Sequence, residues 1–269
     1  MARYGNLGRM KIVVCIKHVP DVQSERRLEG GRLVRGEDDV LNELDENAVE
    51  AAVSLVEDLG GEVVALTMGP EDAEDGLRRA LQMGADSGIV VADDALAGAD
   101  VVTTARVLAA AIERIGEVDL IVTGMASLDS LTSMLPGALA AALHLPALTL
   151  ANRFEVDSGT LTATRTEGNV REDVNAPLPA VVSVTDQANE PRHPHFAAMR
   201  AAKKKPIDFW DASELGLEVA DPAVKVVDDE ARPARESGII RTDAGEAGPA
   251  PPPSPRGDHA GRTRGATAA

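Results

Sequence analysis

The residues best suited to chemistry lie in one stretch, Gly124-Met125-Ala126-Ser127-Leu128-Asp129-Ser130-Leu131-Thr132-Ser133-Met134-Leu135-Pro136-Gly137. An apolar run over 119–123 precedes it, and a helical period over 135–143 follows. Backbone N–H groups at a helix N-terminus favour a phosphate or another anion. Ser127, Ser130, Thr132 and Ser133 add hydroxyls, and Gly124 allows close approach. An ordinary strand-to-helix loop with N-capping Ser and Thr has the same composition. No GKS or GKT follows, and the stretch is not GxGxxG. Without a Walker lysine and magnesium ligand, phosphoryl transfer is not expected.

A second stretch, 189–205 (NEPRHPHFAAMRAAKKK), ends in a lysine triplet although the chain has a formal net charge of -17. Such runs are usually solvated surface. The alternative is a docking arm, with Phe196 and Met199 as apolar anchors and Lys203, Lys204 and Lys205 as its charges. The histidines at 18, 144, 193, 195 and 259 are scattered, and Cys15 is the one cysteine. No metal site is expected from that inventory. Cys15 lies inside an apolar run and reads as structural rather than nucleophilic. No GxSxG elbow is present. The sequence therefore offers no active site, and the chain is not expected to be an enzyme.

Composition narrows the classes further. The chain has 269 residues, 44% apolar and only 2% aromatic, so Ala, Val, Leu and Ile must build the core. The acidic balance argues against nucleic acid, as does the shortage of stacking aromatics. No apolar run approaches the ~18 residues needed to span a bilayer. Residues 1–9 carry no apolar leader region, so the cytoplasm is the default location.

These features need elements to position them. Runs at 11–16, 62–66, 88–91, 119–123 and 146–150 read as strands. Between them, 44–59, 71–83, 100–115 and 135–143 show helical periodicity, three of these stretches being stopped by glycine. Strands separated by helices imply an α/β fold with a doubly wound, mostly parallel sheet. Ligands of such sheets sit at the strands' carboxyl ends, here 16–21, 67–70 and 124–136. After residue 150 a hairpin is expected over 152–165, turning at Ser158-Gly159. Residues 180–185 read as a strand, with Leu178-Pro179 suited to an edge or a strand start. From 186 to 206 no period survives, so an extended arm is expected. Beyond about 243, Ala, Gly, Pro, Ser and Arg predominate, which predicts a disordered tail.

Taken together, these segments resemble the beta subunit of electron transfer flavoproteins. The similarity runs from about Met10 to about Leu217. It is carried by KIVVCIKHVPD (11–21), NELDENAVEA (42–51), TMGP (67–70), ALQMGAD (80–86), GMASLD (124–129), LPAVVSVT (178–185) and the NEPR arm with its lysines. The resemblance implies a Rossmann-like domain over 10–185, a partner-binding arm over 186–217, a linker and tail over 218–269, and an extension over 1–9. It implies a heterodimer in which FAD is shared with an alpha subunit and AMP is held structurally by this chain. Electrons would arrive from acyl-CoA or related dehydrogenases and leave to a quinone oxidoreductase or another acceptor. The cofactor site would fall on Cys15, Asn42, Glu43, Leu44, Asp45, Met68, Gly124, Ser127, Asp129, Thr132, Ser133, Met134 and Leu135. Phe196 would be the apolar anchor of the arm.

Two departures stand out. Many members have a Gly- and Thr-rich run where this chain has Ser130-Leu131-Thr132-Ser133. The family's Glu-Arg-Glu on the hairpin is Thr164-Arg165-Thr166 here, with Glu167 the adjacent carboxylate. The competing expectation is a flavin-free, universal-stress-like regulatory domain that binds adenine nucleotide.

Overall fold

The run at 11–16 becomes strand β1 (Met10–Cys15), almost wholly buried because the sheet is covered on both faces. A computed structural model describes residues 9–24, 26–219, 221–230 and 233. The chain divides into two units, Met1–Asp229 and Glu230–Ala269, and every element below lies in the first. The expected N-terminal extension and tail fall outside the described residues, save Arg9.

After β1 come β2 (His18–Pro20), β3 (Leu28–Glu29), β4 (Arg32–Leu33), β5 (Asp39–Leu41), α1 (Glu43–Leu59), β6 (Gly61–Met68) and α2 (Glu74–Met83). They are followed by β7 (Ser87–Val91), α3 (Val101–Ile115), β8 (Leu120–Gly124), α4 (Leu135–Leu143) and β9 (Ala147–Ala151). The chain continues through β10 (Arg153–Asp157), β11 (Thr160–Glu167), β12 (Val170–Pro177), β13 (Ala180–Val184), α5 (Phe196–Ala202) and β14 (Ile207–Trp210).

Seven strands form one sheet, in the order β14-β7-β6-β1-β8-β13-β9. Every neighbouring pair is parallel. Side chains alternate between two cores. Ile12 and Val14 of β1 face α1, α2 and the β10–β12 sheet, while Val13 and Cys15 face α3 and α4. From β1 the order runs outward through β6 and β7, then returns to β8 on the other flank. The winding reverses between β1 and β8, which is where sheets of this type place their ligands.

Local chemistry sets the boundaries. Gly60 (φ 82°) closes α1, its N–H donating to the Val56 carbonyl. Gly61 (φ 152°) then passes so close to the Met10 backbone that a Cβ there would overlap the Met10 carbonyl. Asp100 caps α3 by accepting from the Thr103 N–H at 2.9 Å.

Several expectations are corrected. The helix expected over 71–83 begins as a 3-10 turn, Glu71–Ala73, before α2. The hairpin is part of a three-stranded antiparallel sheet, because β12 pairs along the whole of β11. β12 exposes both faces over much of its length and so lacks an apolar alternation. Leu178-Pro179 does stand at a strand start, as expected, ahead of the interior strand β13 between β8 and β9. The arm is not extended throughout: 196–202 are helical and 207–210 add β14 to the edge of the main sheet. Among the described residues, no helix is long and apolar enough to cross a membrane.

Candidate functional site

The carboxyl ends of β1 and β8 meet the N-terminus of α1, and Asp45 joins all three. Its Oδ2 accepts from the Lys17 N–H at 2.8 Å, and the carboxyl also accepts from the Gly124 N–H. The residue is 6% exposed. Burial pushes its carboxyl up to about 7, against hydrogen bonds from Asn42, Lys17 and Gly124 that favour the charged form. Gly124 does allow a close approach, but the neighbour is α1. A Cβ there would overlap the Asp45 carboxylate and lie 2.7 Å from the Leu44 carbonyl oxygen.

Asn42, fully buried ahead of α1, holds the loop after β8. Its Nδ2 donates to the Ala126 carbonyl at 2.9 Å, and its Oδ1 accepts from the Leu128 N–H at 3.0 Å. Ser127 and Ser130 share a 2.7 Å hydroxyl contact. The Ser127 carbonyl accepts from the Ser130 and Leu131 N–H groups. The Asp129 side chain is 3% exposed and paired with Lys17 Nζ at 2.9 Å and with Arg35. Burial raises its carboxyl, but the Lys17 charge and hydrogen bonds from Lys17, Ser127 and Arg35 outweigh this and hold it at about 2. Arg35 also donates to the His18 carbonyl at 2.9 Å.

Beyond Asp129 the loop turns outward. Leu131 (φ 52°) and Ser133 (φ 53°) adopt the left-handed conformation that glycine takes without penalty. Thus the loop keeps its turns in a run without glycine. Thr132, Ser133 and Met134 are exposed. Leu135 and Met68 are half-buried against the α3–α4 core.

The predicted residues therefore divide. Asn42, Asp45, Gly124, Ser127 and Asp129 form one bonded cluster. The Leu44 carbonyl packs against Gly124. Cys15, at the end of β1, is buried beside Asp45, and burial, then the Asp45 charge, push its thiol up to about 12. It is inert as a nucleophile at neutral pH. Glu43 is exposed in the first turn of α1. Sequence reasoning missed Lys17 and Arg35, which neutralise Asp129. A lysine immediately after a buried strand was the available signal for Lys17; Arg35 had none. Among the described residues, no cluster of His, Cys, Asp and Glu could hold a metal ion.

The arm is built separately. Arg192 reaches Glu50 and Glu57 on α1, with Nε–Oε2 and Nη1–Oε1 distances of 2.7 Å. Phe196 is 73% exposed at the start of α5, and Met199 is 37% exposed one turn later. Lys203 and Lys204 are exposed. Lys205 is not a free docking charge: its Nζ donates to the carbonyls of Leu81, Gly84 and Ala85 at 3.2, 3.3 and 2.5 Å. These carbonyls lie in the last turn of α2 and just past it, where a helix leaves acceptors without intrahelical partners. On the β11–β12 ribbon, Arg165 Nε donates to Glu172 at 2.6 Å. Thr166 Oγ1 accepts from Asn152, and Glu167 is exposed at the ribbon's end.

Comparison with known proteins decides the family. The model of the electron transfer flavoprotein domain matches residues 31–215. This chain belongs to the electron transfer flavoprotein family. The "Electron transfer flavoprotein subunit beta" of Mycobacterium leprae is 38% identical over 250 residues, 88% of this chain and 94% of that protein. Its counterpart in Mycobacterium bovis is 37% identical over the same shares. The "Caffeyl-CoA reductase-Etf complex subunit CarD" of Acetobacterium woodii is 32% identical over 212 residues, 77% of this chain and 80% of that one. The family match includes α1, the 124–135 loop, the antiparallel ribbon and the arm.

Proposed function

We propose that this chain is the beta subunit of a heterodimeric electron transfer flavoprotein, working in the cytoplasm and without catalysis of its own. It holds AMP at the strand ends, and FAD is shared with an alpha subunit. Bound FAD supplies the redox chemistry, taking electrons from acyl-CoA-type dehydrogenases and yielding them to a quinone oxidoreductase or another acceptor. This chain supplies shape, charge and docking.

The observation that carries this reading is Phe196, 73% exposed on an ordered helix beside two free lysines. A large exposed aromatic next to exposed positive charge is the composition of a protein-docking anchor. The strand-end loop suits AMP. Left-handed residues at Leu131 and Ser133 are the backbone conformation from which anion-binding nests are built. Thr132 and Ser133 add exposed hydroxyls, while Met68 and Leu135 offer apolar surface for a purine. Lys17 and Arg35 are committed to Asp129, so the backbone rather than a cation would meet the phosphate.

Co-expression with an alpha-subunit gene of the same genome tests the proposal. The expected product is a yellow heterodimer with flavin absorbance that releases AMP on denaturation, identified by mass. A colourless chain that pairs with no alpha subunit would overturn it, and a homodimer releasing ATP would favour a flavin-free regulatory domain.

A further inference from the structure

The docking stretch is fastened at both ends, and one fastening lies along a single stripe of α1. Asn47, Glu50, Ser54 and Glu57 recur at intervals of three and four, so they share a helix face. Every one of them bonds the base of the arm. Asn47 Nδ2 donates to the Asn189 carbonyl at 2.9 Å, and Asn189 Nδ2 donates back to the Asn47 carbonyl at 3.0 Å. The Arg192 guanidinium forks onto both oxygens of Glu50, at 2.7 and 3.0 Å, and both oxygens of Glu57, at 2.7 and 2.9 Å. Its backbone N–H adds a bond to Glu50 at 3.1 Å. At the far end Lys205 is sunk into the carbonyls that end α2, and Ala202 is 2% exposed. Between these points α5 presents Phe196 and Met199 outward.

A loop free at either end would have to be ordered on docking, and that ordering weakens binding. Arg192 holds two carboxylates in fixed planes, a geometry lysine cannot reproduce. We propose that Arg192 and Lys205 are positioning residues that keep α5 preformed as a docking element, with α1 as its anchor. The same helix is preceded by Asn42 and carries Asp45 in its first turn, so one element holds both the loop after β8 and the arm. This inference rests on the reading of the arm as the docking surface, and its test separates the two.

The FAD-loaded heterodimer is assayed with an acyl-CoA dehydrogenase from the same organism, reading the KM for the flavoprotein and kcat. Amide hydrogen exchange over 193–204 is measured on the same preparations. Arg192→Gln is expected to raise exchange in that segment and to raise KM about tenfold with kcat unchanged. Arg192→Lys should recover only part of this. Glu57→Gln, at the more exposed of the two carboxylates, should shift both readouts in the same direction by less. Phe196→Ala should raise KM without altering exchange. If Phe196→Ala leaves KM unmoved, the docking reading itself fails. If Phe196→Ala raises KM while the Arg192 and Glu57 variants leave KM or the exchange of 193–204 unchanged, the positioning role is overturned.

Discussion

Asn42 and Leu128 lie 86 residues apart in sequence and are joined by a 3.0 Å hydrogen bond from the Leu128 N–H to the Asn42 carboxamide. The other end of that carboxamide donates to Ala126, so one side chain closes a ring on the loop. Asn42→Ala would leave the half-buried Leu128 N–H and Ala126 carbonyl without this partner. The expected loss is about 2–3 kcal/mol of stability, measured by urea denaturation. Affinity for the AMP proposed to bind there should fall with it, read by titration calorimetry. An unchanged denaturation midpoint would contradict this account of the loop.

Gly124→Ala should be at least as damaging, for a steric reason. The new methyl would overlap the Asp45 carboxylate and crowd the Leu44 carbonyl, and that helix backbone has no rotamer with which to yield. A loss of about 3 kcal/mol or more is expected, checked by thermal melting of the purified chain. Gly137→Ala, where a Cβ meets nothing within 4 Å, is the matched control and should be close to neutral.

Much of this was legible in the residues. Strands of a parallel sheet are covered on both faces, so β1, β6 and β8 read as unbroken apolar runs, and the strand-end rule located the loop. The missed elements lack that signature. β12 is exposed along most of its length, and β14 is four residues at an edge. β2 and β5 are three residues each and exist by pairing with one another. α5 is a seven-residue helix behind prolines and histidines, too short to show a period. Long-range ion pairs left no local trace either: Arg35 meets Asp129 across 94 residues. Nor could a KKK run show that its third member is buried in carbonyls while the first two stay in solvent.

The two buried carboxylates of the site pull stability in opposite directions with pH. Asp129 is held below its ordinary value, at about 2, so its contribution is complete above about pH 4 and is lost as pH falls toward 2. Asp45 is raised to about 7. The folded chain then binds a proton that the unfolded chain releases near pH 4. Stability from that proton is complete below pH 4 and falls by about 1.4 kcal/mol per pH unit until the folded carboxyl ionises near 7. Asp45→Asn should flatten the profile between pH 4 and 7 and leave the acid limb intact. Asp129→Asn should leave the 4–7 range unchanged and make the acid limb shallower, the rest of that limb coming from carboxylates such as Glu50 and Glu57 that Arg192 also holds low. Urea midpoints across pH 2–8 check both, and parallel wild-type and Asp45→Asn profiles between pH 4 and 7 would refute the assignment.

The lysine triplet should separate into two phenotypes. Lys203 and Lys204 are solvent-exposed at the end of α5, where they add long-range attraction and little structure. Replacing both with Ala should slow association with the dehydrogenase, most at low ionic strength, because exposed charges are screened within about 8–10 Å at 0.1–0.15 M salt. The melting temperature should stay within about 1–2 °C of wild type, as surface substitutions seldom exceed 0.5 kcal/mol. Lys205→Ala should behave oppositely. It removes the ammonium from three carbonyls and uncaps the end of α2, so the expected loss is about 1–3 kcal/mol, lowering the melting temperature. Its effect on the association rate should depend less on salt than that of the exposed pair, because the ammonium is held back against the end of α2 and the main loss is structural. Stopped-flow traces at two salt concentrations together with a thermal melt distinguish the cases. Equal salt dependence in the Lys205 and Lys203/Lys204 variants would show that the third lysine also serves encounter, against its burial.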